Sequence, residues 1–202
     1  MCLRRHNSRN VDLTARFVVK KVAVLVGSLR RESINHKLAR VLAKLAKDRL
    51  EFDIVDLSEV PMYNDDLWEK PPASISAFKR AIADADAILF VSPEYNRSFT
   101  AVLKNAIDWG TRPYGQNAFS GKPGAIVGAS PGAIGSAVGQ SQLRSVLGAI
   151  HCIVMGQPEV NLSWKDDLCD ADYNVLNEST RNFLEGWVSH FARWIERTAE
   201  TV

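Results

Sequence analysis

Short runs of β-branched and aliphatic residues alternate along the chain with longer stretches in which apolar positions recur every three or four residues. The runs at 17–26, 51–56, 87–91, 124–129 and 150–155 read as strands. The stretches at 33–49, 74–85, 98–109 and 136–149 read as helices, and a last helix falls within 173–200. In the first helix Ile34, Leu38, Val41, Leu42 and Leu45 make one apolar face, and Ser33 stands where a hydroxyl caps a helix start. In the last, Phe183, Trp187, Phe191 and Trp194 recur at steps of four, four and three, which reads as a stripe packed on a sheet rather than a ligand site. Five strands interleaved with helices predict an α/β fold, a doubly wound five-stranded parallel sheet covered on both faces. Right-handed crossovers make 2-1-3-4-5 the expected strand order. The Pro-rich stretch EVPMYNDDLWEKPPAS, Glu59 to Ser74, reads as a surface loop long enough to reach over a site.

In such a sheet a ligand sits beyond the carboxyl ends of the strands, where strand order reverses. That edge is formed by the loops after strands one, three and four, which here are GSLRRESIN, SPEYNRS and ASPGAIGS. The first follows neither G-x-G-x-x-G nor G-x-x-x-x-G-K-[ST]. It offers instead the hydroxyls of Ser28 and Ser33, the amide of Asn35, a guanidinium at Arg30 or Arg31, and the free N–H groups of a helix start. That donor set suits the terminal phosphate of a mononucleotide. It is equally the set expected if the serines merely end a strand and start a helix while the arginines face water. In the second loop Pro93 fixes the backbone, Tyr95 presents an aromatic face and Asn96 a donor–acceptor pair, as a planar heterocycle would need, although such a run is also a plain turn. In the third, Pro131, Gly132 and Gly135 surround a turn whose bare N–H groups can stabilise charge developing on a ring, although this run also reads as a simple turn before a helix.

Length and composition narrow the picture. A chain of 202 residues fits one domain, here 17–202, behind a flexible tail at 1–16 whose opening MCLRRHNSRNVDLTAR is Arg-rich and acid-poor, as transit peptides are. The net charge of +2, with no basic block interleaved with aromatics, argues against nucleic acid or an anionic membrane and for a small-molecule partner. Cys2, Cys152 and Cys169 lack a C-x-x-C spacing, which argues against a disulfide framework, a zinc site or a dithiol centre and fits a reducing cytoplasm. No apolar run approaches the ~18 residues of a membrane span. His6, His36, His151 and His190 have no evident acid–base partner and read as surface or structural residues.

GSLRRESIN after the first strand, SPEYN after the third and LKNAIDW on the following helix, occurring jointly and in order, resemble the NADPH-dependent FMN reductase family, which includes bacterial quinone and chromate reductases. The resemblance spans roughly Val18 to Val160. It implies a flavodoxin-like fold, tightly bound FMN, NADPH or NADH as co-substrate, and a homodimer or homotetramer with the flavin near a subunit boundary. By the same resemblance Ser28, Arg30, Ser33 and Asn35 would hold the phosphate, and Pro93, Glu94, Tyr95 and Asn96 would line the isoalloxazine. Ser130 with Gly132 would complete the pocket, and the helix bearing Lys104, Asn105, Asp108 and Trp109 would lie at the subunit contact. The implied activity is ping-pong hydride transfer from NAD(P)H to FMN and on to quinones, azo compounds, flavin or metal ions such as chromate, with no catalytic side chain required. Two alternatives stand beside it. One is a flavodoxin-like electron carrier without NAD(P)H oxidation, which the slightly basic charge disfavours. The other is a hydrolase, because GASPG satisfies the G-x-S-x-G pattern and would make Ser130 a nucleophile.

Overall fold

The computed structural model describes residues 19–199; the expected tail at 1–16 lies outside them. Strand β1 (Lys20–Val26) opens on two lysines ahead of the unbroken apolar run 22–26, and α1 (Ile34–Ala46) follows it. Then come β2 (Leu50–Val55), a short 3₁₀ turn at Asp65–Glu69, α2 (Ala73–Ala83), β3 (Ala87–Val91) and α3 (Ala101–Gly110). The chain closes with β4 (Pro123–Ser130), α4 (Ala137–Ala149), β5 (Ile153–Val154), β6 (Val160–Ser163) and α5 (Glu178–Ala199). All strand pairings are parallel, in the order β2-β1-β3-β4-β5, which is the expected order.

The fifth strand departs from expectation. The run at 150–155 yields only two strand residues, and the edge of the sheet resumes at β6, which pairs with β4 from Val127↔Val160 to Ser130↔Ser163. Between the two pieces stand Gly156 and Pro158. Proline has no N–H to give to a ladder, so the edge strand is interrupted, and among the described residues the sheet has six strands in five positions.

Alternation along the strands sorts side chains into two cores. Val22, Val24 and Val26 of β1, Leu89 and Val91 of β3, and Val127 and Ala129 of β4 face α1 and α5. Leu25, Ile88, Phe90 and Ile126 point the other way and pack with α2, α3 and α4. On α1, Leu38, Val41 and Leu42 are fully buried, with Ile34 and Leu45 packed at the margin. On α5 the buried stripe is Leu184, Trp187, Val188, Phe191 and Ile195. Phe183, read from the sequence as part of that stripe, is 41% exposed, because Leu184 occupies the inward position one residue on. Trp194 lies at the margin, its indole Nε1 donating to the Ile153 carbonyl at 3.0 Å. Among the described residues no helix is long and apolar enough to cross a membrane.

Cys152 and Cys169 are free thiols. Cys152 lies beneath β4, where burial pushes its pKa up to about 12. An unfolded chain ionises this thiol near pH ~8.5, so the folded state binds the proton more tightly. The stability this contributes is intact below that pH and is lost as pH rises toward about 12. Between those limits stability should fall more steeply than in Cys152→Ala, by no more than about 1.4 kcal/mol per pH unit. Urea midpoints for the two proteins, compared from pH 8 to 10, check this; parallel curves would show that Cys152 ionises freely.

Candidate functional site

The three loops singled out in the sequence meet at the carboxyl edge of the sheet. The first begins at Gly27, whose N–H donates to the Val91 carbonyl at 2.9 Å and whose carbonyl accepts the Thr100 hydroxyl at 2.7 Å. A Cβ on Gly27 would lie 2.6 Å from that hydroxyl, so only glycine lets the loop leave β1 against the start of α3. The turn closes through the Ser33 N–H donating to the Arg30 carbonyl at 3.1 Å. Ser33 caps α1, its hydroxyl oxygen accepting from the N–H groups of Asn35 and His36 at 3.3 and 3.4 Å. The Ser28 oxygen likewise accepts from the Arg30 N–H at 3.3 Å. Both hydroxyls are therefore engaged as acceptors, which leaves their protons to donate outward. His36 braces the loop from behind, its Nε2 lying 2.8 Å from the Ser28 carbonyl; since a carbonyl can only accept, Nε2 carries the proton.

Asn35 is 2% exposed, and its carboxamide is paired with β4. Its Nδ2 donates to the Ala129 carbonyl at 2.9 Å and its Oδ1 accepts the Ala129 N–H at 3.0 Å. This two-way bond stitches the start of α1 to the end of β4 and so sets the gap between the first and third loops.

The second loop is a tight hairpin turn. Tyr95 and Ser98 exchange backbone hydrogen bonds at 2.9 and 3.0 Å, and the two residues between them, Asn96 and Arg97, have φ of 52° and 64°. A two-residue hairpin with both central residues left-handed places Asn96 at the tip. Glu94 reaches to α4, where its carboxylate accepts the Gly139 N–H at 3.0 Å. The Ser136 side chain makes no capping bond there, so the second loop caps the helix of the third with a negative charge at its N-terminus. In the third loop the Ser130 hydroxyl donates to the Gly135 carbonyl.

Together the loops enclose a cavity of about 180 Å³ lined by Ser28, Arg30, Ser33, Asn35, Pro93, Glu94, Tyr95 and Ser130, with Ile34, Ala129 and Pro131 between them. The sequence marks Pro131 only as framing the third turn and Ile34 only as part of the apolar face of α1, and Ala129 reads as strand; none is legible as a cavity residue, because apolar residues flanking a turn carry no chemical signal. Asn96 and Gly132 do not line the cavity. Asn96 is carried away at the turn tip, and Gly132 is exposed. The glycine with a conformational duty in this loop is Gly135, at φ +65° with Asn161 backbone 2.6 Å from where its Cβ would be.

The long loop at 59–74 contributes nothing to the cavity wall. It is held down on α3: Asn105 accepts the Tyr63 N–H at 2.7 Å and donates to the Pro61 carbonyl at 2.8 Å, which also accepts the Trp109 indole N–H at 2.8 Å. Tyr63 and Trp68 pack edge-on against Trp109 at 5.0 and 5.1 Å. Asn105 and Trp109 thus face inward, while Lys104 and Asp108 form an i, i+4 ion pair on the outer face. Among the described residues no histidine is hydrogen-bonded to Ser130, whose hydroxyl is given to the Gly135 carbonyl. His190 bonds within α5, its Nδ1 2.9 Å from the Gly186 carbonyl, and His151 closes the end of α4. His6 lies outside the described residues.

The model of the NADPH-dependent FMN reductases matches residues 20–166, a span that contains all three loops. The chain belongs to that family. It is an oxidoreductase working with FMN and NAD(P)H. Among relatives, a 2-hydroxy-1,4-benzoquinone reductase of Burkholderia sp. is 47% identical over 175 residues, covering 87% of this chain and 96% of its own. A quinone reductase of Pseudomonas putida is 47% identical over 179 residues, covering 88% and 96%. Of solved structures, the flavoenzyme NAD(P)H:(acceptor) oxidoreductase FerB of Paracoccus denitrificans superposes with a TM-score of 0.87 at 49% identity, covering 89% of this reductase and 99% of that chain.

The donors in the cavity of this FMN reductase are of the kind an FMN phosphate needs: two hydroxyl protons, a guanidinium and a helix N-terminus. Tyr95, 57% exposed at the mouth, offers the flat apolar surface that a heterocycle packs on.

Proposed function

We propose that this protein is an FMN-dependent NAD(P)H:quinone oxidoreductase that works by a ping-pong cycle, with NAD(P)H and the quinone using one open cavity in turn. The observation that carries this reading is the convergence of the three loops on a single cavity that pairs phosphate donors at one side with Pro93 and Tyr95 at the other. Bound FMN supplies the two-electron store between reductant and acceptor. Ser28, Arg30 and Ser33 hold its phosphate, and Pro93, Tyr95, Ser130 and Pro131 shape the space around its ring. Asn35 and Glu94 act one step removed, as positioning residues that join the loops to α1, β4 and α4. Azo compounds, flavins and oxidised metal ions such as chromate fit the same open face as further acceptors. A homodimer or homotetramer is the assembly the family resemblance implies, and a cytoplasmic setting accords with the free thiols.

Anaerobic stopped-flow mixing of the holoprotein with NADPH tests the first half-reaction: the flavin absorbance should bleach in a single turnover and return on adding a quinone. A flavin that stays oxidised until a reductase protein is supplied would instead make this a carrier. Initial velocities with both substrates varied should give parallel double-reciprocal lines. Ser33→Ala should lower stability by about 1 kcal/mol through loss of the cap and weaken FMN by about tenfold or more through loss of a phosphate donor. Urea unfolding of the apoprotein and FMN titration read the two effects separately; a stability loss with unchanged FMN affinity would reduce Ser33 to a cap.

A further inference from the structure

The first loop borders a second hollow, of about 350 Å³, that shares Arg30 and Ser33 with the cavity between the loops. Arg31, Lys37 and Arg40 join Arg30 along it, so four permanent cations meet one carboxylate, Glu32. That carboxylate is a weak neutraliser, since its oxygen is 3.6 Å from Lys37 Nζ and its side chain is 73% exposed. Arg31 makes no ion pair or side-chain hydrogen bond among the described residues. Arg40 is held at the wall of the hollow, its guanidinium 5.7 Å from the centroid of the Tyr173 ring. His36, also in the wall, is tied to the Ser28 carbonyl. The neighbouring acids Asp166 and Asp170 line an adjoining hollow of about 520 Å³. The Asp170 carboxylate is already taken up by the N–H groups of Asp172 and Asn174 and by the Asn174 amide. A concave surface with this excess of fork-shaped donors fits a phosphate monoester dianion.

The two forms of the nicotinamide reductant differ by one such group, the phosphate on the 2′ position of the adenosine ribose. We propose that this groove takes the 2′-phosphate of NADPH and thereby sets a preference for NADPH over NADH. The inference rests on the proposed function, in which the nicotinamide meets the flavin between the three loops. A dinucleotide is longer than FMN, so its adenosine end runs past the first loop to Arg31, Lys37 and Arg40.

The test is kcat/KM for NADPH and for NADH with one quinone, at low and at high salt, in the wild-type holoenzyme, in Arg31→Ala and in Arg31→Ala/Lys37→Ala, with flavin content checked by absorbance. The substitutions should lower kcat/KM for NADPH by about 10–100-fold, as expected for losing a charge-assisted hydrogen bond or two. The change should appear in KM, with NADH altered less than about twofold, and the wild-type preference should shrink as salt rises. Equal losses with both dinucleotides, or an unchanged ratio, would overturn the proposal. So would a fall in FMN affinity alone, which would assign these cations to the flavin phosphate. Failure of both dinucleotides to reduce the flavin would overturn the proposed function together with this inference, whereas reduction by both with an unmoved ratio would remove the groove alone.

Discussion

Gly128→Ala is expected to lower stability by about 3 kcal/mol, the upper part of the range for overpacking a filled interior, and to abolish FMN retention on purification. Gly128 lies inside β4, paired with Asn161 on one side. A Cβ there would stand 2.2 Å from the Ser92 carbonyl oxygen and 2.1 Å from the Ser136 hydroxyl. The serine can turn aside, but the carbonyl is backbone next to the N–H that donates to Val127 at 2.8 Å, so relief requires β3 and β4 to part. The loops leaving those two strands, with Pro93 and Ser130, then move relative to each other. Gly132→Ala is the matched control: its Cβ would meet only the Ser130 hydroxyl, at 3.6 Å, and its cost should be within about 0.5 kcal/mol. Urea midpoints and flavin content of the two variants decide the matter. Similar midpoints would mean that the sheet edge is soft rather than close-packed.

Asn35→Leu should destabilise the protein by about 2–6 kcal/mol, because a side chain of similar volume leaves both the N–H and the carbonyl of Ala129 buried without partners, at roughly 1–3 kcal/mol each. FMN affinity should fall as well, since the start of α1 is no longer registered against β4. If leucine preserved stability but lost FMN, Asn35 would be a direct phosphate ligand and not a stitch between elements. If it preserved both, the two hydrogen bonds to Ala129 would have no energetic weight. Titration of the apoprotein with FMN, alongside urea unfolding, separates these results.

Asn35 also marks how far the sequence could be read. Its place in GSLRRESIN signalled a polar duty at a strand-to-helix turn, yet its partner lies 94 residues away in β4. Glu94 repeats the lesson, its carboxylate serving an N–H of α4 from the preceding loop. The motif LKNAIDW was equally visible, but that Asn105 and Trp109 clasp Pro61 and thereby keep the 59–74 loop off the cavity depended on how α3 packs. Phe183 shows the same limit within one helix, where a one-position rotation exchanges an exposed ring for Leu184.

The sequence by itself determined the alternation of strands and helices, the strand order and the sheet edge at which the three loops meet. Those follow from local periodicity, from the handedness of crossovers and from turn residues, none of which requires knowledge of distant contacts. Tertiary structure alone decided the broken fifth strand, the placing of Asn96 and Gly132 off the cavity wall, and the division of the polar residues between facing the cavity and bracing the loops around it. A buried polar group must pair with whatever donor or acceptor the fold brings to it, and that partner is fixed by three-dimensional packing rather than by spacing along the chain.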